Sequence, residues 1–457
     1  MKIPRAGVFC AEISAMFIEF SVGNFRSFKD TVTLSAVAAT IHSQPPELDT
    51  ENVFGVDDQL SLLKSVAVYG ANASGKSNII AALRFMRFFV LTSLRELRVS
   101  QPLTVEPFRL STETLGQPSH FEVVLRLDGV IYRYGFEITA EQITREWLFH
   151  SPGKREAYLF KRDATGISVN PRTFREGQGL ESRTRADALF LSVAAQFNSE
   201  LALRLITWFS ELMINLGVDD PDALRTARQQ FSRLEDRQAI IAFITHLDLG
   251  IEDLAPDRVR VEQRELPTDD REPTSLSRTS RTTIPRIKTF HPRYDGAGNR
   301  VDREPLDLDD NESQGTQRLF ILAHPLLHAL RVGGMIAIDE IDARLHPLLT
   351  RAIVRLFHSR ETNPRNAQLI CTTHDTNLLD ARLLRRDQIW FVEKSQRGAS
   401  DLYSLVEYRM DKRIVRNDAS FEKDYIAGRY GAIPYLGSLA HVRGITNDES
   451  QETESEN

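Results

Sequence analysis

The residues with the clearest chemical promise are Gly70, Ala71, Asn72, Ala73, Ser74, Gly75, Lys76, Ser77 and Asn78, of which 70–77 fit the spacing G-x-x-x-x-G-K-[ST]. That spacing has a physical purpose. Glycines let the backbone curl so that several N–H groups face one anion, and a helix that follows points its positive end at the same anion. Lys76 is then placed to reach the β and γ phosphates of a nucleotide, and Ser77 to hold Mg2+. A Gly/Ser-rich turn that matches by chance is the alternative, and the elements on either side weigh against it.

A second cluster lies far downstream. Met335–Ile338 is a short apolar run that ends in Asp339 and Glu340. An aspartate at the carboxyl end of a strand can hold the Mg2+ of a bound nucleotide, and an adjacent glutamate is well placed to orient or deprotonate an attacking water. Alone, an apolar run followed by acids marks only the end of a strand; paired with the cradle it becomes the expected partner. Residues 367–373 read as another buried strand ending at His374, which either senses a γ phosphate or is satisfied in a turn. Ser313, Gln314 and Gly315 precede a strongly apolar helix, so free N–H groups face outward at its start. In the same subunit that would duplicate the cradle, so this helix start is expected to close over the nucleotide of a second copy.

These residues need a frame. Ser65–Tyr69 is an apolar run suited to a buried strand, and residues from Asn78 to about position 98 are helix-like. From Met16 two alternating segments flank a polar turn, as in a hairpin, and 41–60 read as loop. Residues 121–139 alternate around Asp128-Gly129, a dipeptide favoured in tight hairpins; with further strands at 142–150 and 158–162, residues 105–170 are predicted to form an antiparallel sheet added to the nucleotide-binding core. Residues 186–216 are helical in pattern, and 224–247 continue that character with many charges, as in a helical arm or insertion. Residues 256–286 mix Arg with Asp and Glu and lack an apolar period, which predicts a mobile, solvated loop.

Composition narrows the class. A chain of 457 residues is long enough for two domains or lobes, and a formal net charge of -6 argues against coating nucleic acid through bulk charge, although a local basic groove is invisible in the sum. Cys10 and Cys371 are too few for a disulfide framework and fit a reducing cytoplasm. No apolar run is long enough to span a bilayer. Residues 1–15 read either as a dispensable leader or as an overcalled start, because Met16 opens a better element, and 444–457 read as an acidic, disordered tail.

The chain resembles the ABC-type ATPase heads of the SMC, RecF and OLD group, and most closely the stand-alone bacterial AAA-family ATPases of abortive-infection and other anti-phage systems. The resemblance is carried by NFRSFKD at 24–30, GANASGKSN at 70–78, ESQGTQRL at 312–319, IDEIDARLHP at 338–347 and TTHDTNLLD at 372–380. It implies an α/β fold: a P-loop NTPase of the ABC-type ATPase head class with an antiparallel β layer and a helical insertion. The expected divisions are the leader at 1–15, a first ATPase lobe at 16–185, a helical insertion with the charged loop at 186–287, a second ATPase lobe at 288–418 and a C-terminal docking strip and tail at 419–457.

By position, the resemblance makes Lys76 and Ser77 the phosphate and Mg2+ residues, Asp339 the Walker B acid, Glu340 the catalytic base and His374 the switch histidine. Ser313, Gly315 and Thr316 occupy the signature segment, which in this family acts on the ATP of the opposite protomer, and Asp342 with the following ARLHP matches the loop that crosses the dimer interface. Arg26 is a candidate nucleotide contact. Gln196 is either a glutamine that senses Mg2+ or the edge of a buried helix.

The chain also departs from its relatives. The signature reads SQGT where transporters use SGGQ, so a transport role loses support, and 171–290 carry no long heptad arms, which argues against a true SMC. No D-x-D follows His374, so the chain itself is not expected to cut nucleic acid as OLD nucleases do. Residues 419–437 resemble the tail of members encoded beside a separate small TOPRIM-like protein, of which RloB is an example. Phe421, Tyr425, Tyr430, Ile433 and Tyr435 either form an exposed docking strip or pack against their own head. The implied function is an ATP-hydrolysing, cytoplasmic sensor or switch of an anti-phage system, an ATP-sandwich homodimer using ATP and Mg2+ and controlling a separate effector nuclease. Nucleic acid is a further candidate partner. The alternatives are a RecF/SMC-like DNA repair or recombination ATPase and a regulatory nucleotide-binding module that hydrolyses nothing.

Overall fold

The computed structural model describes residues 15–94, 103–153, 155–217, 223–233, 237–247, 250–264, 279–410, 413–414 and 420–433. The acidic tail, Tyr435, Cys10 and all of the expected leader except Ala15 lie outside them; Ala15 itself already pairs with Leu127 in a sheet.

A six-stranded sheet runs from edge to edge as Met213–Asn215, Met335–Ile338, Gln368–Thr372, Ser65–Tyr69, Ile389–Lys394 and Ser400–Ser404. The first five strands are parallel, and the last is antiparallel to its neighbour. Three central strands, Met335–Ile338, Gln368–Thr372 and Ser65–Tyr69, are buried at every position. Covered on both faces, such strands read as unbroken apolar runs rather than alternating ones. Helix Lys76–Thr92 covers one face, and helices Gln314–Val332 and Pro347–His358 cover the other through Leu319, Leu322, Leu326, Ile353 and Phe357.

The predicted antiparallel sheet is present and larger than expected. Its order is Gly166–Val169, Ala157–Asp163, Ile143–Ser151, Val130–Ile138, Ser119–Leu127, Ala15–Gly23 and Val32–Ser35, so the N-terminal hairpin joins it. Along Ser119–Leu127 burial alternates strictly, with Phe121, Val123, Leu125 and Leu127 turned to the core. Asp128 (φ 47°) and Gly129 (φ 85°) are both left-handed, the geometry of a two-residue hairpin turn. Helix Lys76–Thr92 lies between the two sheets: Met86 and Phe89 share one apolar core with Phe121 and Phe136 on one side and Val66 and Val68 on the other. Each such side chain contributes about 1.5–3 kcal/mol by burial, so the helix that carries the cradle lysine is anchored along its length.

Three expectations are corrected. Residues 256–264 and 279–286 of the expected loop are strands, and 265–278 lie outside the described residues: Asp253–Arg264 pairs with Thr279–Tyr294 from Asp253↔Phe290 to Arg264↔Thr279, and Arg300–Asp307 adds a third strand. The base of this arm is apolar, where Leu254 and Ile287 join the core of Phe231, Ile240 and Ile244; farther out solvent reaches Arg258 and Val259, and backbone ladders hold the arm. The insertion does not begin at 186 either. Helix Glu200–Glu211 buries Leu205, Trp208 and Phe209 in the main core, and Met213–Asn215 is the edge strand of the nucleotide-binding sheet, too short to leave a period. Only from Ala223–Arg233 onward do helices pack away from that sheet, where Phe231 meets Phe320 of Gln314–Val332. Last, Phe421, Tyr425 and Tyr430 are buried in the core beneath Tyr69 and Phe391, not displayed as a docking strip; Ile433 is exposed. Aromatic rings of that size gain more by closing the edge of their own core than by facing water.

Candidate nucleotide site

The cradle is built where strand Ser65–Tyr69 turns into helix Lys76–Thr92. Left-handed backbone at Gly70 (φ 154°), Ala73 (φ 59°) and Gly75 (φ 111°) winds the loop. Gly75 is required twice over, because a Cβ there would lie 2.4 Å from Ser27 Oγ and 2.5 Å from Ser400 Oγ. Lys76 is 5% exposed, and its Nζ donates to the carbonyls of Gly70 (2.8 Å) and Ala71 (2.9 Å), folded over the space where phosphate oxygens would compete for it. Burial pushes the Lys76 ammonium down to about 8 against the pull of Asp339, Glu340 and Asp342. Ser74 Oγ is buried in the loop with no hydrogen-bond partner among the described residues, a polar group that a ligand would satisfy. Ser77 is exposed at the helix start.

The 24–30 stretch braces this loop from behind, through Ser27 rather than Arg26. Ser27 Oγ accepts from Asn78 Nδ2 at 2.7 Å, and its carbonyl accepts the Ser400 N–H at 2.7 Å. Arg26 pairs with Glu106 at 3.0 Å.

The sheet order places Gln368–Thr372 between the cradle strand and Met335–Ile338, so the acids face the cradle across one strand. Thr372, fully buried at the end of that strand, joins them: its Oγ1 donates to Asp339 Oδ1 (2.5 Å) and accepts the N–H of Glu340 (2.8 Å). Glu340 has φ 49°, a left-handed conformation that costs a non-glycine residue on the order of 1 kcal/mol and persists only where neighbours hold it. Arg318 is the other holder. It is 2% exposed; Nη1 donates to Asn215 Oδ1 (2.8 Å) and Gly217 O (2.7 Å), and Nη2 to the carbonyls of Asp339 (3.3 Å) and Glu340 (3.5 Å). Burial lowers its guanidinium to about 10 despite the attraction of Glu340. The Asp342 carboxylate accepts the backbone N–H of His374 at 3.2 Å. The His374 imidazole stands at the rim, its pKa lowered by partial desolvation and by the charge of Lys76.

At the signature segment Ser313 caps helix Gln314–Val332, its Oγ accepting the Thr316 N–H at 3.1 Å. Ser313 and Gln314 are exposed, whereas Thr316 is buried and turned inward. A Cβ on Gly315 would lie 2.8 Å from the Arg344 carbonyl, so the helix start rests on the loop that follows Glu340. The β arm grips the approach to this segment: Glu312 accepts from Thr289 Oγ1 (2.5 Å) and pairs with His291 Nε2 (2.6 Å), and Arg286 pairs with Asp307 (3.0 Å) and Asp309 (2.8 Å). Gln196 is exposed at the end of helix Phe190–Gln196 and makes no hydrogen bond to the cradle or the acids among the described residues.

The cradle, Asp339, Glu340 and His374 therefore share one site. Lys76, Ser77 and the free N–H groups at the start of their helix fit a triphosphate, and Ser77 with Asp339 fits Mg2+. Sequence reasoning did not single out Thr372 and Arg318. Arg318 had a signal, a charge four residues before Leu322 on the apolar stripe of its helix; Thr372 had none beyond its place before His374.

The chain is similar to the SMC head domain from Thermotoga maritima, at 14% identity and a TM-score of 0.36 over 85% of this chain and 98% of that one. No curated protein matches it. Among the described residues no helix is long and apolar enough to cross a membrane. Residues 65–380 match the family described as "AAA domain, putative AbiEii toxin, Type IV TA system". Since that match takes in more than half of the chain, from the cradle strand past His374, the protein belongs to this AAA-domain family of P-loop ATPases.

Proposed function

We propose that the protein hydrolyses Mg-ATP and works as the cytoplasmic sensor or switch subunit of an anti-phage system that controls a separate effector nuclease, of the TOPRIM/RloB-like kind. The observation that carries the ATPase reading is the sheet order that sets the Lys76 cradle one strand away from Asp339 and Glu340, at the same carboxyl ends of parallel strands. Lys76 and the loop N–H groups hold the β and γ phosphates, and Ser77 and Asp339 hold Mg2+, which neutralises the charge that develops on them. Glu340 takes the proton of the attacking water, and Thr372 and Arg318 fix the backbone that aims it. His374 reads the γ phosphate from the rim.

The exposed Ser313 and Gln314 at a capped helix start support closure by a second copy, each signature segment completing the partner's site. ATP touched by both copies favours the closed pair, and hydrolysis releases it. The grip of Arg286, Thr289 and His291 on 307–312 supports the β arm as the route by which closure is felt elsewhere. Arg26 and Gln196 remain proposed contacts to nucleotide and Mg2+.

Purified protein is expected to turn over ATP slowly, Lys76→Ala to abolish ATP binding, and Glu340→Gln to accumulate an ATP-dependent dimer on size exclusion. No turnover in the wild type sinks the ATPase reading; a Glu340→Gln variant that stays monomeric with ATP sinks the sandwich. Pull-down from the native host tests the effector. Salt-sensitive, ATP-dependent DNA binding with no co-purifying protein would replace the defence role with a DNA repair ATPase.

A further inference from the structure

The C-terminal segment 420–433 touches both ends of the nucleotide site. Helix Phe421–Ile426 sets the Tyr425 ring 6.0 Å from that of Tyr69, the residue immediately before Gly70, and 5.4 Å from Phe391. The Tyr425 hydroxyl donates to the Ala432 carbonyl at 3.2 Å, which pins the ring that packs on Tyr69. One turn earlier on the same helix, Glu422 accepts from Thr376 Oγ1 at 3.0 Å, two residues beyond His374. Tyr69 closes the circuit, its hydroxyl donating to the Asp375 carbonyl at 3.5 Å.

The rest of the segment is fastened down. Tyr430 donates to Asp424 Oδ2 at 3.1 Å, and its carbonyl accepts from the Tyr403 hydroxyl at 2.7 Å. Gly431 (φ 68°) sits where a Cβ would be 2.8 Å from both Glu393 Oε2 and Tyr403 Oη, so the turn is wound onto the edge strands Ile389–Lys394 and Ser400–Ser404. Packing alone would explain the buried rings. It does not call for a carboxylate on the His374 loop, nor for the run of contacts from there through Tyr425 and Tyr69 back to Asp375.

We propose that residues 420–433 form a clasp that holds the cradle and the His374 loop in one relative position, with Tyr425 and Glu422 as positioning residues for the site. The clasp rests on the ATPase reading for its function but not for its existence. It makes the C-terminal segment a regulatory handle: displacing Phe421–Ile426 loosens Gly70 and the His374 loop together.

The test compares amide hydrogen exchange of nucleotide-free full-length wild type with Tyr425→Leu, which removes the ring that packs on Tyr69 but keeps an apolar side chain, and Glu422→Ala. Each variant is expected to raise exchange about five-fold, the worth of one aromatic contact or one hydrogen bond, in peptides covering both 70–77 and 374–378, while peptides of the antiparallel sheet stay unchanged. Binding of a fluorescent ATP analogue is expected to weaken about five-fold in Tyr425→Leu with kcat preserved. Glu422→Ala is expected to lose kcat with affinity preserved, and Glu422→Gln, which keeps an acceptor for Thr376, to restore it. Exchange that is unchanged, that rises only in the peptide nearest each substitution, or that rises evenly along the chain overturns the clasp. Variants that give the paired exchange response, alongside a wild type that binds and hydrolyses no ATP, sink the proposed function and leave the clasp standing.

Discussion

Replacing Thr372 by valine tests the geometry of the acid pair with little change of shape. The hydroxyl is fully buried and serves two partners at once, donating to Asp339 at 2.5 Å and accepting the Glu340 N–H at 2.8 Å. The charge-assisted bond to a carboxylate is worth about 2 kcal/mol, and a buried N–H left without an acceptor costs about 1–3 kcal/mol. The extra methyl of valine returns at most about 0.8 kcal/mol. A net destabilisation of about 3 kcal/mol is expected, read as a lower urea midpoint with an unchanged slope. Because Glu340 is held at φ 49° through the same hydroxyl, turnover is expected to fall at least about ten-fold and to need more Mg2+, while Thr372→Ser keeps both bonds and stays within about 1 kcal/mol of wild type. A valine variant within about 0.5 kcal/mol of wild type and with the same Mg2+ dependence would refute the role given to Thr372.

Two further outcomes follow from buried charges. Arg318→Met removes the donors to Gly217, Asp339 and Glu340 without touching the cradle, so kcat is expected to fall about ten-fold or more while ATP affinity holds within about two-fold; Arg318→Lys should not rescue, since one ammonium cannot span the same carbonyls. Equal loss of affinity and kcat would place Arg318 outside this role. Glu146 is buried and accepts the Phe190 and Leu191 N–H groups (2.7 and 3.0 Å) and the Tyr134 hydroxyl (3.1 Å), and burial raises its carboxyl from 4.5 to about 7. The folded state then binds the proton more tightly than the unfolded one, so stability falls as pH rises from about 4.5 through about 7 and levels off above. At about 1.4 kcal/mol per pH unit the loss is about 3 kcal/mol. Glu146→Gln should flatten that slope in urea melts across pH 4.5–8, and parallel curves for the two proteins would contradict the assignment.

Much of this site was legible in the sequence because its signals are local. A glycine spacing imposes its own backbone, Asp128-Gly129 makes its own turn, and unbroken apolar runs such as Met335–Ile338 announce strands covered on both faces. The β arm was misread for the converse reason: beyond the apolar base at Leu254 and Ile287, Asp253–Arg264 and Thr279–Tyr294 are held by pairing with one another, and a ladder of backbone hydrogen bonds leaves no mark on side-chain type. Met213–Asn215 was missed because three residues become a strand only when Met335–Ile338 lies beside them. Phe421, Tyr425 and Tyr430 fitted a docking strip and a core equally well until Tyr69 and Phe391 were found above them.

By itself the sequence determined that a phosphate cradle, an acid pair and a rim histidine exist, and on which kinds of element they sit, since each depends on residues adjacent in the chain. Tertiary structure alone decided that Thr372 spans the gap between Asp339 and Glu340, that Arg318 holds the same turn from the signature helix, and that a C-terminal tyrosine packs its ring on Tyr69. The physical reason is that a hydroxyl, a guanidinium or an aromatic ring takes its role from whatever is packed against it, and those neighbours come from strands and helices far apart along the chain.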